Sequence, residues 1–297
     1  MYGFLLLLAI NAGPDYNRPQ SDSLHTISLG EYQATIDAQA SARVISFQYQ
    51  GQEVLTGKEV HPFNYGSTLW PSPQSEWHWP PPVQLDGEPY GFVQEAEKLV
   101  FISKKDIHTG LQFSKKYHFE ESDSSFVLEY SVKNLNDSAR HAALWEVTRS
   151  VGGLSFFPKA EESAGIKSFA PLKSVTTVDD IIWYRFNRDS VDRAQKLYEN
   201  GSEGWLAHIR GRLIFVKKFG DTSKSDLPPG QGEVEIYVHK DASYIELENH
   251  GKYVLLQPGE SMSYTVKWYM RPLPEDLEIR AGNRQLTDLV RKIITGS

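Results

Sequence analysis

The segment Glu233–His239, EVEIYVH, carries four side chains that could move protons or bind a polar ligand. Successive side chains of an extended strand point to opposite faces, so its polar residues share one face and its aliphatic residues share the other. The four polar residues are Glu233, Glu235, Tyr237 and His239. Two carboxylates, a phenol and an imidazole in a row are typical of acid–base chemistry on hydroxyl groups. A solvated outer face, which many antiparallel sheets have, is the alternative interpretation.

A second strand-like segment, His141–Arg149, combines an indole, a carboxylate and a guanidinium in the sequence HAALWEVTR. Alternation places Trp145 and Arg149 on one face and Glu146 on the other. Glu146 and Arg149 therefore cannot pair with each other, and each needs a different partner or a ligand if it is buried. A structural ion pair is the common outcome. A tryptophan and an arginine on one face would also suit a sugar ring and its hydroxyl groups.

The stretch His61–Gly91 holds 7 of the 16 prolines and 3 of the 7 tryptophans of the chain. Proline fixes φ and donates no backbone hydrogen bond, so Pro71 and its neighbours predict a long loop rather than a helix or a central strand. Loops of this length are usually functional when they are ordered. Indole rings stack on the C–H faces of sugars, and we predict that Trp70 and Trp77 bind a saccharide together with Trp145. An aromatic cluster that only closes one end of the fold is the alternative.

Several classes of site are disfavoured by what the chain lacks. It has no cysteine, which excludes disulfides, thiolate chemistry and Cys-ligated zinc, and its 9 histidines show no metal-ligand spacing. The chain also contains no Gly-rich phosphate loop, nucleophile elbow or HExxH motif. We therefore predict neither a metal nor a cofactor. Lys and Arg are dispersed and the net charge is -7, which argues against nucleic acid as a partner.

The only long apolar run lies in the first thirteen residues, MYGFLLLLAINAG. It is too short to cross a bilayer, so a membrane-spanning protein is not expected. The run is similar to the hydrophobic part of a secretory signal, although the usual basic start is missing. We predict that residues 1–23 are a signal or a flexible N-terminus. The protein would then be periplasmic or secreted, with a cytoplasmic location as the alternative.

The rest of the chain, residues 24–297, predicts a single all-β domain, because its apolar segments are short, alternate with polar residues and are separated by turns. Two helices interrupt this pattern. Asp189–Glu199 is predicted to be a short helix capped by Asp189 or Ser190. The second is a C-terminal helix that packs on a sheet edge or a partner chain, with the helical-face residues Leu286, Leu289, Val290, Ile293 and Ile294.

Five segments, in this order along the chain, together resemble the galactose mutarotase-like superfamily, and within it an uncharacterised bacterial family. They are LGEYQATIDAQASARVISFQYQGQEVLTG at 29–57, NYGSTLWPSPQ at 64–74, VKNLNDSARHAALWEVTR at 132–149, EVEIYVHKD at 233–241 and LLQPGESMSYTVKWYM at 255–270. The superfamily includes aldose 1-epimerases, hexose-6-phosphate epimerases and related sugar-binding domains. The resemblance implies a large antiparallel β-supersandwich that binds a saccharide on the concave face of a sheet.

The resemblance also implies a catalytic glutamate at Glu235, which would take the proton from the anomeric hydroxyl while a histidine protonates the ring oxygen. The sequence departs from this pattern at both histidines. Val147 stands at the best-matching strand position, and the segment PYGF at 89–92 lacks the other histidine. Fold and saccharide site are therefore implied more strongly than turnover.

These observations leave three functional hypotheses. The first is a carbohydrate-binding protein with stacking residues Trp70, Trp77 and Trp145 and polar contacts from Glu146, Arg149, Glu233, Glu235, Tyr237 and His239. The second is an aldose epimerase or another acid–base enzyme on carbohydrate, with Glu235 as base and His239 or His141 as acid. The third is a non-enzymatic interaction protein of the envelope.

Overall fold

The structure, a computed structural model, describes residues 23–296. The predicted signal or flexible terminus lies outside the described residues except for Ser23, and it stays a prediction. Within the described range the protein forms 20 strands and only two short α-helices, α1 (Val83–Asp86) and α2 (Arg284–Thr295), which confirms the all-β prediction. None of the helices between residues 23 and 296 combines the length and apolarity that crossing a membrane requires.

The strands are joined by tight turns and by several longer loops, the longest of which connects β5 to β6. The first ten are β1 (Leu24–Leu29), β2 (Tyr32–Asp37), β3 (Arg43–Tyr49), β4 (Gln52–Glu53), β5 (Ser67–Ser72), β6 (Gly91–Glu95), β7 (Lys98–Ile102), β8 (Leu111–Glu120), β9 (Ser125–Asn134) and β10 (Arg140–Ser150). The second ten are β11 (Leu154–Pro158), β12 (Val175–Val178), β13 (Ile181–Arg185), β14 (Gln195–Glu199), β15 (Trp205–Arg210), β16 (Leu213–Lys218), β17 (Val234–Val238), β18 (Ile245–His250), β19 (Val254–Leu256) and β20 (Ser261–Pro272).

The strands form two large antiparallel sheets that pack face to face. Sheet I has the order β1-β2-β3-β5-β10-β18-β17-β14, with β4 on β3 and β19 on β10. Sheet II has the order β12-β13-β11-β15-β16-β20-β9-β8-β7-β6. The main hydrophobic core lies between the two sheets and includes Val234, Ile236 and Val238 of β17. The predicted aliphatic face of this strand is therefore buried in the core, and its polar face is the outer face of sheet I.

A buried ion pair crosses the interior between the sheets. Lys217 of β16 lies 2.9 Å from Glu146 of β10, and Tyr130 of β9 donates a hydrogen bond of 2.8 Å to the same carboxylate. Lys217 also donates to the backbone oxygen of Leu247 at 2.8 Å. Glu146 thus points into the sandwich while Arg149 points out of it, as the alternation in the sequence predicted.

The C-terminal helix forms as predicted, but it packs on a sheet face and not on the predicted sheet edge. Asn283 caps α2 by accepting a hydrogen bond of 3.1 Å from the backbone nitrogen of Gln285. Leu286 and Val290 are buried in a second apolar cluster with Trp183 and Trp205 of sheet II. Residues of β13 and β15 alternate between this cluster and the main core, so α2 covers the outer face of sheet II.

Two local predictions are wrong. Asp189–Glu199 is not a helix, because a single 3₁₀ turn at Arg188–Ser190 is followed by strand β14. Pairing with β17 over the whole length of β14 outweighs the weak helical pattern of this segment. The stretch around Pro71 is also not only loop, since β5 pairs with β10 in sheet I. Its other neighbour, β3, pairs with β5 only at Ser67, so the missing N–H of Pro71 leaves no ladder bond unmade on that side.

Candidate functional site

A cleft of about 940 Å³ lies over the outer face of sheet I. Its floor is formed by side chains from five neighbouring strands, β5, β10, β18, β17 and β14. The floor residues are Trp70, Trp145, Glu246, Tyr237 and Lys196. The walls come from the loop that leads into β5, from the proline-rich segment around α1, and from the segment that precedes β12. The cleft therefore lies where the aromatic loop meets the polar face of the β17–β18 hairpin.

Asp86 in α1 fixes the proline-rich wall to the sheet. Its carboxylate accepts hydrogen bonds from Arg43 at 3.0 Å and from the Trp70 indole at 2.8 Å, and Thr68 donates a further one. The same arginine donates to the backbone oxygen of Phe63 at 2.6 Å. One carboxylate and one guanidinium thereby tie both aromatic walls to β3 and β5, and such charge-assisted hydrogen bonds hold them firmly.

A buried ionic network forms the deep part of the floor. The Lys196 ammonium lies 2.6 Å from Glu235 and 2.8 Å from Glu248, and the Trp145 indole donates to Glu248 at 2.8 Å. Burial disfavours the ionised form of Glu235, but the charge of the Lys196 ammonium outweighs this effect and lowers the pKa of the carboxyl. Burial raises the pKa of Glu248. Glu235 is thus a fixed anion whose second oxygen accepts from Gln231 and from the backbone nitrogen of Gly232.

The same network contains a set of atoms with metal-ligand chemistry that the spacing in the sequence did not reveal. Among the described residues, ligand atoms of Glu235, Glu248 and His250 lie within 4.8 Å of one another. Two carboxylates and an imidazole suit a transition metal. The Lys196 ammonium, however, already bridges the two carboxylates. The group is balanced by an internal cation and does not require a metal.

Arg149 and Glu246 form a second fixed ion pair beside the cleft. The Arg149 side chain is fully buried and donates to Glu246 at 2.8 Å, while its guanidinium carbon lies 5.0 Å from the Trp70 ring centre. Its two terminal nitrogens have no hydrogen-bond partner among the described protein atoms. Glu246 itself lines the cleft. The pair therefore presents an anionic acceptor to the cleft and keeps its cation directly behind the wall.

One end of the cleft collects imidazole and phenol groups. The rings of His61 and His239 have centres 5.5 Å apart, and His239 stacks on Tyr244 at 4.9 Å. Burial and the neighbouring His239 lower the pKa of His61. Burial also raises the pKa of Tyr237 to about 12, so its hydroxyl stays protonated at neutral pH. This end offers phenol and imidazole groups next to the Glu246 carboxylate.

Comparisons with known proteins place this architecture in a family. The family model described as "Domain of unknown function (DUF4380)" matches residues 26–271. The chain belongs to this family. No curated protein matches the chain.

Solved structures share the fold of this DUF4380 domain at low sequence identity. A candidate aldose 1-epimerase from Escherichia coli K12 is 12% identical with a TM-score of 0.59, covering 84% of this chain and 99% of its own. A galactose mutarotase-like protein from Lactobacillus casei is 14% identical with a TM-score of 0.57, covering 84% of this chain and 100% of its own. A TPR-domain containing protein from Parabacteroides distasonis is 16% identical with a TM-score of 0.58, covering 87% and 49%. The fold is therefore that of galactose mutarotase-like proteins, as the sequence resemblance implied.

The residues predicted to form the site fall into three groups in this DUF4380 domain. Those that line the cleft are Trp70, Trp145, Tyr237 and His239. Three others lie directly behind its wall, where Trp77 packs on Trp70, Arg149 pairs with Glu246 and Glu235 pairs with Lys196. Those that lie elsewhere are Glu146 in the core, Glu233 bonded to the backbone of Gly201 and Thr222, and His141 stacked on Tyr253.

Several lining residues were missed, although the sequence contained a signal for some of them. In β18 the core residues Ile245 and Leu247 alternate with Glu246, Glu248 and His250, the same period of two that drew attention to β17. Because β17 and β18 pair in an antiparallel hairpin, their polar faces had to lie side by side. Lys196 was hidden by the incorrect helix prediction, whereas His61 reaches the cleft through a loop path that periodicity does not predict.

Proposed function

We propose that this protein binds a saccharide in the cleft over sheet I. The observation that carries the proposal is the make-up of the cleft, in which aromatic rings and hydrogen-bonding side chains surround a space of about 940 Å³. Apolar surface with a few convergent polar groups is the general character of small-molecule sites. A sugar needs both, because its C–H faces pack on rings while its hydroxyls require donors and acceptors.

The polar groups of the cleft are already oriented before a ligand arrives. Glu246 is held by Arg149, Lys196 is held by Glu235 and Glu248, and Asp86 is held by Arg43. Pre-oriented groups lose little conformational entropy on binding, which favours recognition of a hydroxylated ligand. The shared fold with galactose mutarotase-like proteins agrees with this proposal and is independent of it, because it comes from the backbone rather than from the side chains.

The proposal is tested by titrating the protein with a panel of aldoses, uronic acids and N-acetylated sugars while recording tryptophan fluorescence and heat. Trp70 and Trp145 line the floor of the cleft, so a bound sugar changes their emission. The variant Tyr237→Phe removes one hydroxyl from the cleft and is expected to weaken binding by about fivefold. Tyr49→Phe, outside the cleft, is the matched control. No response from any sugar at millimolar concentration, with the protein folded, contradicts the proposal.

A second candidate function is acid–base catalysis on the bound sugar. The observation that favours it is the pair His61 and His239 at the same end of the cleft as Glu246. Proton transfer by such groups contributes about 10²–10⁴-fold to a rate. The assignment of Glu235 as base, with His239 or His141 as acid, stays a prediction. In this structure the Glu235 carboxylate pairs with Lys196 and does not line the cleft.

This second function is tested by following the exchange of α and β anomers of each sugar that binds, using proton NMR. Acceleration that is lost in His239→Gln and kept in His141→Gln would support catalysis in the cleft, because His239 lines the cleft and His141 does not. Acceleration that survives both substitutions would remove the two histidines from the mechanism. Binding without any acceleration would leave the saccharide-binding proposal alone.

A further inference from the structure

We propose that the cleft binds a glycan of more than one sugar unit, whose outer units rest on an exposed apolar rim. This inference rests on the proposed saccharide function and extends it, because it assigns a ligand length and a second subsite. The rim consists of four cleft-lining residues, Phe63, Trp79, Val83 and Phe169.

Exposed apolar side chains are concentrated at the mouth of the cleft. Eight large hydrophobic side chains are exposed in the part of the chain that the structure describes, and four of them form this rim. Phe63 is 75% exposed, Trp79 is 57% exposed and Phe169 is 44% exposed. Scattered exposed apolar residues need no explanation, whereas a cluster beside a cleft marks an interaction surface.

The inner tryptophans have little ring surface left for a ligand. Trp70 is 3% exposed and Trp145 is 2% exposed. His250 stacks on Trp145 with ring centres 5.0 Å apart, and the Arg149 guanidinium lies 5.0 Å from the centre of Trp70. The floor therefore offers mainly polar contacts, and the free aromatic faces belong to the rim. A sugar held only in the floor would leave those faces in water.

The rim residues lie on opposite sides of the mouth. Trp79 packs edge-to-face on Trp70 of β5 with ring centres 5.8 Å apart, and Phe169 packs in the same way on Tyr237 of β17 at 5.9 Å. The strands β10 and β18 lie between β5 and β17, so the two sides are three strand spacings apart, about 14 Å. This distance exceeds a single sugar ring and fits a short linear glycan.

Both sides of the rim are anchored before binding. The backbone oxygen of Phe63 accepts the Arg43 hydrogen bond, and the residue after Phe169, Ala170, accepts one of 2.9 Å from the backbone nitrogen of Lys196. Trp79 is placed by its contact with Trp70. A rim that is fixed in this way gains affinity from each added sugar at a small cost in entropy.

The test compares ligand length. The protein is titrated with cello-, malto-, xylo- and chito-oligosaccharides from the monosaccharide to the hexasaccharide, with tryptophan fluorescence and calorimetry as readouts. In at least one series Kd is expected to fall by about fivefold or more for each unit added up to the trisaccharide. Trp79→Ala and Phe169→Ala are expected to remove most of that gain and to leave the monosaccharide Kd within about twofold of wild type.

The control is Ile107→Ala, which removes an apolar side chain that is 74% exposed and does not line the cleft. Thermal unfolding confirms that each variant is folded. If the monosaccharide binds and every longer sugar binds with the same Kd, the inference is overturned and the proposed function stays intact. An equal loss of affinity for short and long sugars in Trp79→Ala would also overturn it, because the tryptophan would then belong to one undivided site. Failure of every sugar to bind would remove both proposals.

Discussion

Lys196 determines the charge balance of the cleft floor, because its ammonium lies between the carboxylates of Glu235 and Glu248. The charge of Glu235 in turn raises the pKa of the ammonium against the effect of burial. The Lys196 ammonium lies 4.8 Å from the centre of the Trp145 ring and covers part of that indole. The residue that most affects the predicted acidic face was therefore absent from the sequence-based site.

Lys115 of β8 shows the opposite behaviour, because its burial is not compensated by an ion pair of comparable strength. The side chain is fully buried, donates a hydrogen bond of 2.7 Å to the backbone oxygen of Ser41, and lies 5.0 Å from the centre of the Tyr90 ring. Burial lowers its pKa to about 7. The unfolded chain binds this proton more tightly than the folded protein, so the charged lysine opposes folding.

We expect Lys115→Met to increase the free energy of unfolding by about 1–2 kcal/mol at pH 7, after the loss of the bond to Ser41. The difference between wild type and variant is constant below the folded pKa. It shrinks as the pH rises from about 7 to about 10.5, because over this range the folded lysine is neutral while the unfolded lysine still holds its proton, and the free-energy cost of losing that proton on folding falls with pH. Urea denaturation of both proteins at several pH values measures it. A variant that is less stable at every pH would contradict this account.

Single residues were predictable from the sequence where strand period alone decides direction. The opposite orientations of Glu146 and Arg149 followed from alternation, and so did the core face of β17. Alternation does not distinguish a side chain that lines a cleft from one held behind its wall. Glu235 and Arg149 are behind the wall because partners from other strands, Lys196 and Glu246, hold them there.

Among the elements, α1 is four residues long and makes the proline-rich wall part of the site. It is too short to be stable by itself, so its position depends on the hydrogen bonds of Asp86 to β3 and β5. The sequence indicated an ordered aromatic loop, but nothing in its spacing showed that one aspartate would bind an arginine 43 positions earlier.

We expect Asp86→Ala to destabilise the protein by about 3 kcal/mol, because it leaves the largely buried Arg43 guanidinium without its carboxylate. The freed wall should also increase cleavage by proteases within residues 73–86 and weaken sugar binding. Glu88→Ala is the matched control, since Glu88 pairs with the exposed Lys104 and such pairs contribute little. Equal effects of the two substitutions on stability and proteolysis would show that Asp86 does not anchor the wall.

Neighbouring strands determine the conformation of two segments whose own sequences predict otherwise. Pro71 argued against a central strand, and β5 is nevertheless paired on both sides at Ser67. Proline is tolerated because the partner on its N–H side ends before that position. The helix predicted at Asp189–Glu199 failed for a similar reason, since a free hydrogen-bonding edge of β17 was available to β14.

At the scale of the whole molecule, α2 completes the sandwich on the face opposite the cleft. Leu286 and Val290 are fully buried against sheet II, and without them Trp183 and Trp205 would be uncovered. The helical period of this tail was readable from the sequence, but the sheet that it covers was not, because both outer faces were unknown. The β-rich architecture itself followed from short alternating segments and from the order of five motifs that are each weak alone.

We expect Leu286→Ala to lower the free energy of unfolding by about 2–5 kcal/mol, because it opens a cavity in the cluster under α2. Sugar affinity should not change, since both sheets separate this cluster from the cleft. Chemical denaturation measures the first effect and calorimetric titration the second. Leu289→Ala, at a partly buried position of the same helix, should cost less. A large loss of affinity in Leu286→Ala would show that the two faces are coupled.

Because two sheets separate α2 from the cleft, the protein can be immobilised through α2 without covering the cleft. A tether attached at the end of α2 emerges on the side of sheet II, so the mouth of the cleft stays open when the protein is immobilised there. Many copies fixed in this way would all face outward. Individually weak contacts along one polymer would then combine into avidity, which depends on spacing and not on any new contact.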